Sequence, residues 1–377
     1  MGDFEGIPTE LLHYVFLMAC TDGGRTGCSL SLTSKFVRDT SRAARFHSVL
    51  ILCRHPEALR RFLARIHADR EISVTTQSNM PKVRHLYLAS GRRKCAGDMY
   101  IEPSADEELQ NFRQDVAALI ELVAPDLVTF TLVHGGQHWT LELELPATIA
   151  VKAGFPNLEE LTIVGGDLPF SEPFLPPADD AGDEVVPFPD LTHLHVFRCV
   201  GSYNFRDWSR RAPRLTHVRI SDLTRGPSQQ VLSYVRHMYC RSFSRRRSLC
   251  PISPTCLRGS PSGAAVSDVQ DDPYFDNLRQ FIIQPSSRAC FNYREFMGRL
   301  EEAHCASGRQ WTLVPPRPRP DEDEEEEAPA VKSALCDFKD RLTGGGGCWA
   351  VEGTSSSGNH GPDKCSDGSD NKVGEDM

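Results

Sequence analysis

Two histidines four residues apart, His134 and His138, enclose a Gly-Gly-Gln run at 135–137. Histidines at this spacing can share a zinc ion, and a His-Gly-Gly run can present backbone N–H groups to an oxyanion. The zinc interpretation lacks a third ligand at a suitable spacing, and the hydrolytic one lacks a Gly-x-Ser-x-Gly nucleophile turn. We therefore expect a turn here, and keep a hydrolase centred on His134 and His138 as an alternative.

The 13 cysteines are scattered along the chain and form no Cys-x-x-Cys pair. Cys250, Cys256 and His237 also lack the tight pairing of a zinc finger. Glycines 344–347 lack the lysine and the preceding strand that a phosphate-binding loop needs. The sequence thus predicts no catalytic residue, no cofactor and no metal site, so we expect a protein that is not an enzyme. Scattered, unpaired thiols favour a cytoplasmic or nuclear location.

The net charge of −9 belongs almost entirely to the C-terminal part of the chain. Residues 315–377 hold 15 acidic and 7 basic side chains, a net of −8. The nearly neutral remainder lacks the basic footprint that nucleic-acid binding requires. The apolar run at 11–20 is too short to span a bilayer. We expect neither nucleic acid nor membrane as a partner.

The N-terminal 50 or so residues predict two short helices followed by a strand. Pro8 is suited to the first helical position, since its φ is fixed near the helical value. Leu11, Leu12, Val15 and Phe16 then fall on one apolar stripe of the helix. Glycines 23, 24 and 27 are expected to end it, before a second helix and a strand centred on 49–52.

This stretch resembles an F-box, the helical module that docks onto the Skp-type adaptor of a cullin-based ubiquitin ligase. The resemblance rests on Ile7, Pro8, Glu10, Leu11, Leu12, Val15, Phe16, Leu30, Leu32, Ser34, Lys35 and Arg38. It implies an all-helical module at 4–46 that contacts the adaptor through Ile7, Pro8, Leu11, Leu12, Val15, Phe16, Leu32 and Val37, and through the adaptor a cullin. Val37 stands where the family often places tryptophan.

A short pattern recurs six times, at 80–90, 124–135, 155–166, 188–199, 212–223 and 275–286. Its layout is apolar, Pro, any, aliphatic, two further residues, apolar, any, apolar; Asp276 takes the proline position in the last copy. Proline stops any preceding helix, and the alternation predicts a strand with one inward face. The spacing between copies is irregular, and an amphipathic helix is predicted over 106–123.

The order Leu158, Leu161, Ile163 in one copy resembles a leucine-rich repeat strand. The resemblance implies an α/β fold: an irregular solenoid at 47–314 with a parallel sheet and loop insertions at 167–188 and 240–272. Its concave face is then expected to bind a target protein through Tyr87, Thr129, Thr131, Glu160, Thr162, His193, His195, His217 and Arg219.

The C-terminal part divides by composition into an acidic linker at 315–330, a short helix at 331–350 and a disordered tail at 351–377. Leu335, Phe338 and Leu342 supply the helix with an apolar side, and Trp349 is expected to dock it back onto the body.

Together the two resemblances imply the substrate receptor of an SCF-type ubiquitin ligase. The alternative is an F-box-like interaction scaffold that works outside any ligase, which Val37 favours.

Overall fold

The computed structural model describes residues 6–53, 56–76, 79–90, 105–134, 154–164, 186–197, 205–223, 277–285, 294, 297–298, 300–301, 311–315 and 329–350. Several predictions fall outside these residues: those for His138, His237, Cys250 and Cys256, for the insertions at 167–185 and 240–272, for the acidic linker at 316–328 and for the tail at 351–377.

Eight parallel strands form one sheet, and each strand lies beside its neighbours in the sequence. The strands are β1 Ser48–Cys53, β2 His85–Ser90, β3 Thr129–His134, β4 Glu160–Val164, β5 His193–Phe197, β6 His217–Leu223, β7 Gln280–Pro285 and β8 Thr312–Leu313. Parallel strands cannot be joined by a tight hairpin, so the chain returns to the same edge before each strand. The predicted α/β class with a parallel sheet is confirmed.

Strands β2 to β7 each occupy the end of one copy of the recurring pattern. Its two alternating apolar residues point to the same face in every strand, and their rows are in register. One row is Leu86, Phe130, Leu161, Leu194, Val218 and Phe281, and the next is Leu88, Leu132, Ile163, Val196, Ile220 and Ile283. Because both rows are buried in one continuous cluster, any slip by one residue would expose them.

Helices cover this apolar face of the sheet. The helices that contribute are α4 Pro56–Thr76, α5 Ala105–Val123 and α6 Phe205–Arg211. Leu59, Leu63 and Ile66 from α4 and Val116 and Leu119 from α5 join the strand residues in the main core. The predicted helix at 106–123 is thus present, and its apolar stripe packs on the sheet.

The residues around the pattern's proline connect successive units. Phe155 and Phe188, which each precede a proline, stack with ring centroids 5.3 Å apart. The variable position after the proline makes polar contacts with the adjacent unit: Lys82 pairs with Asp126 at 3.2 Å, and Asn157 donates to the Pro125 carbonyl at 2.6 Å. The sequence pattern gives this position no role, whereas the structure uses it between neighbouring units.

Three short helices form the N-terminal module: α1 Thr9–Ala19, α2 Arg25–Thr33 and α3 Lys35–Ser41. Leu12, Phe16 and Ala44 make a small core of their own. Pro8 is the N-cap residue of α1, so the helix begins at Thr9, one residue later than predicted. The Pro8 carbonyl accepts from the Leu12 amide at 3.1 Å. Ser34 caps α3 by accepting from the Val37 amide at 3.2 Å.

The module is fixed to the sheet by polar contacts. The Ser48 hydroxyl at the start of β1 donates to the Cys20 carbonyl at 2.7 Å and accepts from the Gly23 amide at 3.0 Å. Arg45 and Asp69 form a buried ion pair between the end of the module and α4. A buried pair of this kind is costly to break, because removing one partner leaves the other charge buried and uncompensated.

The C-terminal segment, defined as residues 329–350, lies on the opposite face of the sheet. It contains helix α7 Pro329–Leu342 and a 3-10 turn at Gly347–Trp349. The helix expected around Leu335 and Phe338 is therefore present. Among the described residues, no helix has both the length and the apolarity needed to cross a membrane.

Gly27 was expected to interrupt the helix, but it lies buried inside α2. The reason is a close backbone approach: a Cβ at this position would lie 2.5 Å from the Arg45 carbonyl oxygen. Glycine here lets α2 approach the chain that leads into β1.

We expect Gly27→Ala to destabilise the protein by about 1–3 kcal/mol, the usual cost of forcing an extra group into a packed site. Urea denaturation measures the change. Gly298→Ala is the control, since a Cβ there meets nothing within 4 Å. Equal stability of the two variants would contradict the close approach of α2 to Arg45.

Candidate functional site

All nine predicted target-binding residues lie on one face of the sheet, opposite the main core. Thr129, Glu160, His193 and His217 form one row in register. Tyr87, Thr131, Thr162, His195 and Arg219 form the next row. The alternation of the strands therefore separates polar from apolar residues as the sequence predicts.

This face is not open to solvent, which corrects the expectation of an exposed binding surface. Tyr87, Thr131, Glu160, Thr162, His195 and Arg219 are buried, and Thr129, His193 and His217 are half-buried. The physical reason is the C-terminal segment, whose Val331, Ala334 and Phe338 pack against Tyr87, Ala89, Val133, Val164 and Phe197. The Tyr87 ring lies 5.6 Å from the Phe338 ring.

Glu160 anchors the C-terminal segment to the middle of the sheet. Its carboxylate accepts from Arg341 Nε at 2.9 Å and from the Trp349 indole at 3.1 Å. The Glu160 side chain is 9% exposed and that of Arg341 36% exposed. A carboxylate removed from water in this way needs the guanidinium to offset its desolvation.

Trp349 lies edge-on to a group of histidines. Its ring centroid is 5.0 Å from His193 and 6.0 Å from both His195 and His217. His193 and His217 stack on each other with centroids 4.2 Å apart. The docking that the sequence predicts for Trp349 thus takes place against the rings of these three histidines.

Arg219 connects three elements beneath the segment. It donates to Ser221 Oγ at 3.0 Å, to Gln284 Oε1 at 2.9 Å and to the Cys348 carbonyl. Gln284 in turn donates to the Pro315 carbonyl at 3.2 Å. The three hydrogen bonds of Arg219 are buried. Arg219 therefore has a structural role, whereas the sequence predicted an exposed residue that contacts the target.

Burial lowers the pKa of three histidines of this face, His85, His193 and His217. Burial, with smaller contributions from His47, Arg84 and Arg341, lowers the pKa of His85 to about 4. Burial, then His217 and Arg341, lowers the pKa of His193 to about 4. In a neutral imidazole one ring nitrogen donates and the other accepts a hydrogen bond. His85 Nδ1 and Thr129 Oγ1 form such a bond at 2.9 Å.

A second candidate site is the exposed side of the N-terminal helices. Leu11 and Val15 are 58% and 55% exposed, whereas Leu12 and Phe16 are buried. The placement of Leu12 and Phe16 at an adaptor interface is therefore wrong, because they fill the core of the module itself. Ile7, Pro8 and Leu32 are exposed, and Val37 is half-buried against that core.

Three residues of the C-terminal segment that contact or approach the sheet were not predicted from the sequence. Arg341, Asp337 and Cys348 carry no spacing signal, although their neighbours Phe338, Leu342 and Trp349 marked the segment as docking. His134 ends β3, and His138 lies outside the described residues, so the hydrolase alternative stays a prediction.

Comparison of the chain with protein-family models, with curated proteins and with solved structures gives no match. The α/β fold with its parallel sheet is thus defined by the strand order and register alone.

We expect Arg341→Ala to loosen the C-terminal segment, because the Glu160 carboxylate would lose its charged partner. Hydrogen bonds to a charged group are worth about 1.5–3 kcal/mol, so the amides of 334–338 should exchange about ten to a hundred times faster. Hydrogen exchange measures this. Lys339→Ala, which removes the same charge from an exposed position of α7, is the control. Unchanged exchange in Arg341→Ala would refute the anchoring role of Glu160.

Stability should fall as the pH drops from about 6.5, the pKa of an unfolded histidine, to about 4. The sign follows from the lowered pKa values of His85 and His193 in the folded state, because protonation then favours unfolding. Urea denaturation at pH 7 and pH 5 measures the loss. A His85→Gln/His193→Gln double variant should show a smaller loss than wild type, and a variant of the exposed His67, His67→Gln, should not. An undiminished loss in the double variant would count against the buried histidines as its source.

Proposed function

We propose that the chain is the substrate receptor of an SCF-type ubiquitin ligase, with an F-box-like module that docks a Skp-type adaptor. The observation that carries the proposal is the exposed apolar stripe of α1. Leu11, Tyr14, Val15 and Met18 are all more than half exposed, with values from 55% to 63%.

Helix α1 has two apolar sides, and only one is used within the chain. Leu12 and Phe16 pack into the module, while Leu11 and Val15 lie about 100° away around the helix axis. Large side chains exposed together on one helix face commonly mark an interaction site. This arrangement supports docking by α1 without disturbing the module's own core.

The stripe suits an apolar partner surface. Helix α1 carries Glu10 as its acidic residue and no lysine or arginine. Burying Leu11 and Val15 would contribute about 1.5–3 kcal/mol each, and Tyr14 and Met18 would add to this. Since association carries a substantial entropic cost, the stripe as a whole is needed rather than a single side chain.

The sheet supports the second half of the proposal, a leucine-rich-repeat-like body that presents a target-binding face. Each unit contributes one short parallel strand in sequential order, and the units bury one another's apolar rows. The target would bind the face that carries Glu160, His193 and Arg219. Because the C-terminal segment covers that face, we infer that a target must displace residues 329–350 to reach it.

A scaffold that works outside any ligase is the second candidate. Val37 favours it, because this residue packs partly against Leu12 and Phe16 and supplies less surface than the tryptophan often found at this position. The two candidates differ in whether a cullin accompanies the adaptor.

The double variant Leu11→Asp/Val15→Asp should abolish co-purification of the Skp-type adaptor and the cullin with the full chain, since it places two carboxylates in the proposed apolar interface. Its circular dichroism should match wild type, because neither side chain belongs to the buried core. Ile72→Asp/Val74→Asp is the matched control: these two residues are also exposed, on α4.

Loss of the adaptor in the Leu11/Val15 variant alone supports docking through α1. Adaptor binding that survives this variant, or that is lost equally in the control, would refute it. Adaptor binding without cullin would favour the scaffold.

A further inference from the structure

Three side chains capable of binding a metal ion meet beneath the C-terminal segment. They are His195 of β5, Asp337 of α7 and Cys348 of the 3-10 turn, and one ligand atom from each lies within 4.8 Å of the other two. His195 and Cys348 are buried, at 0% and 5% exposure. Residues far apart in the sequence are thus brought together only because the segment lies on the sheet.

The chemistry of this group fits zinc. Imidazole nitrogen, thiolate sulfur and carboxylate oxygen are the three ligand types that Zn²⁺ takes in proteins, at bond lengths of about 2.0–2.3 Å. Tetrahedral binding at these lengths places ligand atoms about 3.3–3.8 Å apart. The ligand atoms lie at most 4.8 Å apart, so the widest pair would have to close by about 1.0–1.5 Å to reach that separation.

We propose that His195, Asp337 and Cys348 bind one Zn²⁺ ion, with a water molecule as the fourth ligand. This inference does not depend on the proposed ligase function. Its three residues are not the His134 and His138 pair considered in the sequence, and the inference departs from the prediction of no metal site.

The surroundings of His195 match those of a metal-bound histidine. Such a residue usually donates its second ring N–H to a hydrogen-bond acceptor, which fixes the ring orientation. His195 Nε2 lies 2.9 Å from Ser221 Oγ, so Nδ1 is the atom assigned to the metal. Ser221 Oγ also accepts from Arg219 Nε at 3.0 Å, and a hydroxyl oxygen has two lone pairs for two such donors.

The charges also balance around a dication. A Cys348 thiolate and the Asp337 carboxylate together neutralise Zn²⁺. Without metal, burial and the nearby Asp337 raise the pKa of the Cys348 thiol, with Glu160 adding to the rise and Arg219 and Arg341 opposing it. Cysteine binds metal as the thiolate, so the Cys348 thiol would give up its proton when the ion binds.

The position of the site gives the ion a structural consequence. It joins β5, in the middle of the sheet, to both elements of the C-terminal segment. A metal bound here would hold the segment over the sheet face together with the Glu160 and Arg341 pair, and removal of the ion by a chelator would loosen the segment.

The test uses the full chain purified without a histidine tag. Elemental analysis should find about one zinc per chain. After replacement by Co²⁺, the protein should show a thiolate-to-cobalt absorption band in the near ultraviolet and d–d bands typical of a tetrahedral site. Cys348→Ser should lose the thiolate band, and Asp337→Asn should bind cobalt at least tenfold more weakly. Cys336→Ser is the control, because Cys336 lies beside Asp337 in α7. This variant should keep the thiolate band and the wild-type affinity for cobalt.

Circular dichroism and urea denaturation establish that each variant is folded before metal is added. Wild-type protein that contains no zinc and binds no cobalt would overturn the proposal. A cobalt spectrum that persists unchanged in Cys348→Ser would overturn it as well, because the ion would then be held by other thiols of the chain.

Discussion

A parallel sheet must be covered on both faces, and this constraint governs the whole structure. The face that carries Leu161 and Leu194 receives α4, α5 and α6. The other face carries polar and aromatic residues in its first two rows and Ala89, Val133, Val164 and Phe197 in its third. That apolar third row cannot remain in water without cost, and Val331, Ala334 and Phe338 cover it. The C-terminal segment is thus required by the sheet, whatever its further role.

The recurring pattern was sufficient to predict the strands, because its apolar residues alternate and its proline precedes each strand. Phe155 and Leu158, or Phe188 and Leu191, could be placed in the core from spacing alone, as could the stripe of α5. Contacts between residues distant in sequence were beyond such reasoning. Nothing in the spacing of Arg341 connects it with Glu160, although that contact helps to hold the C-terminal segment over the polar face.

The N-terminal helices show the same limit. The stripe of α1 was read as one surface, since Leu11, Leu12, Val15 and Phe16 all follow helical spacing. The structure divides it: Leu12 and Phe16 face Ala44, and Leu11 and Val15 face outward. Which half of a broad apolar stripe is used internally depends on the angle at which α3 crosses α1, and the sequence of α1 does not encode that angle. Gly27 is a similar case, because its role comes from the Arg45 backbone.

The lateral contacts at the position after each proline have a consequence for the lengths of the connecting segments. Lys82 with Asp126, and Asn157 with the Pro125 carbonyl, fasten one unit to the next at the start of the strand. This attachment is made where each strand begins, so it sets no fixed length for the chain that follows the strand. Nineteen residues, 198–216, separate β5 from β6, and 56 residues, 224–279, separate β6 from β7, yet the register hardly changes. A scaffold joined at its strand starts can therefore accommodate connecting peptides of very different length between one strand and the next.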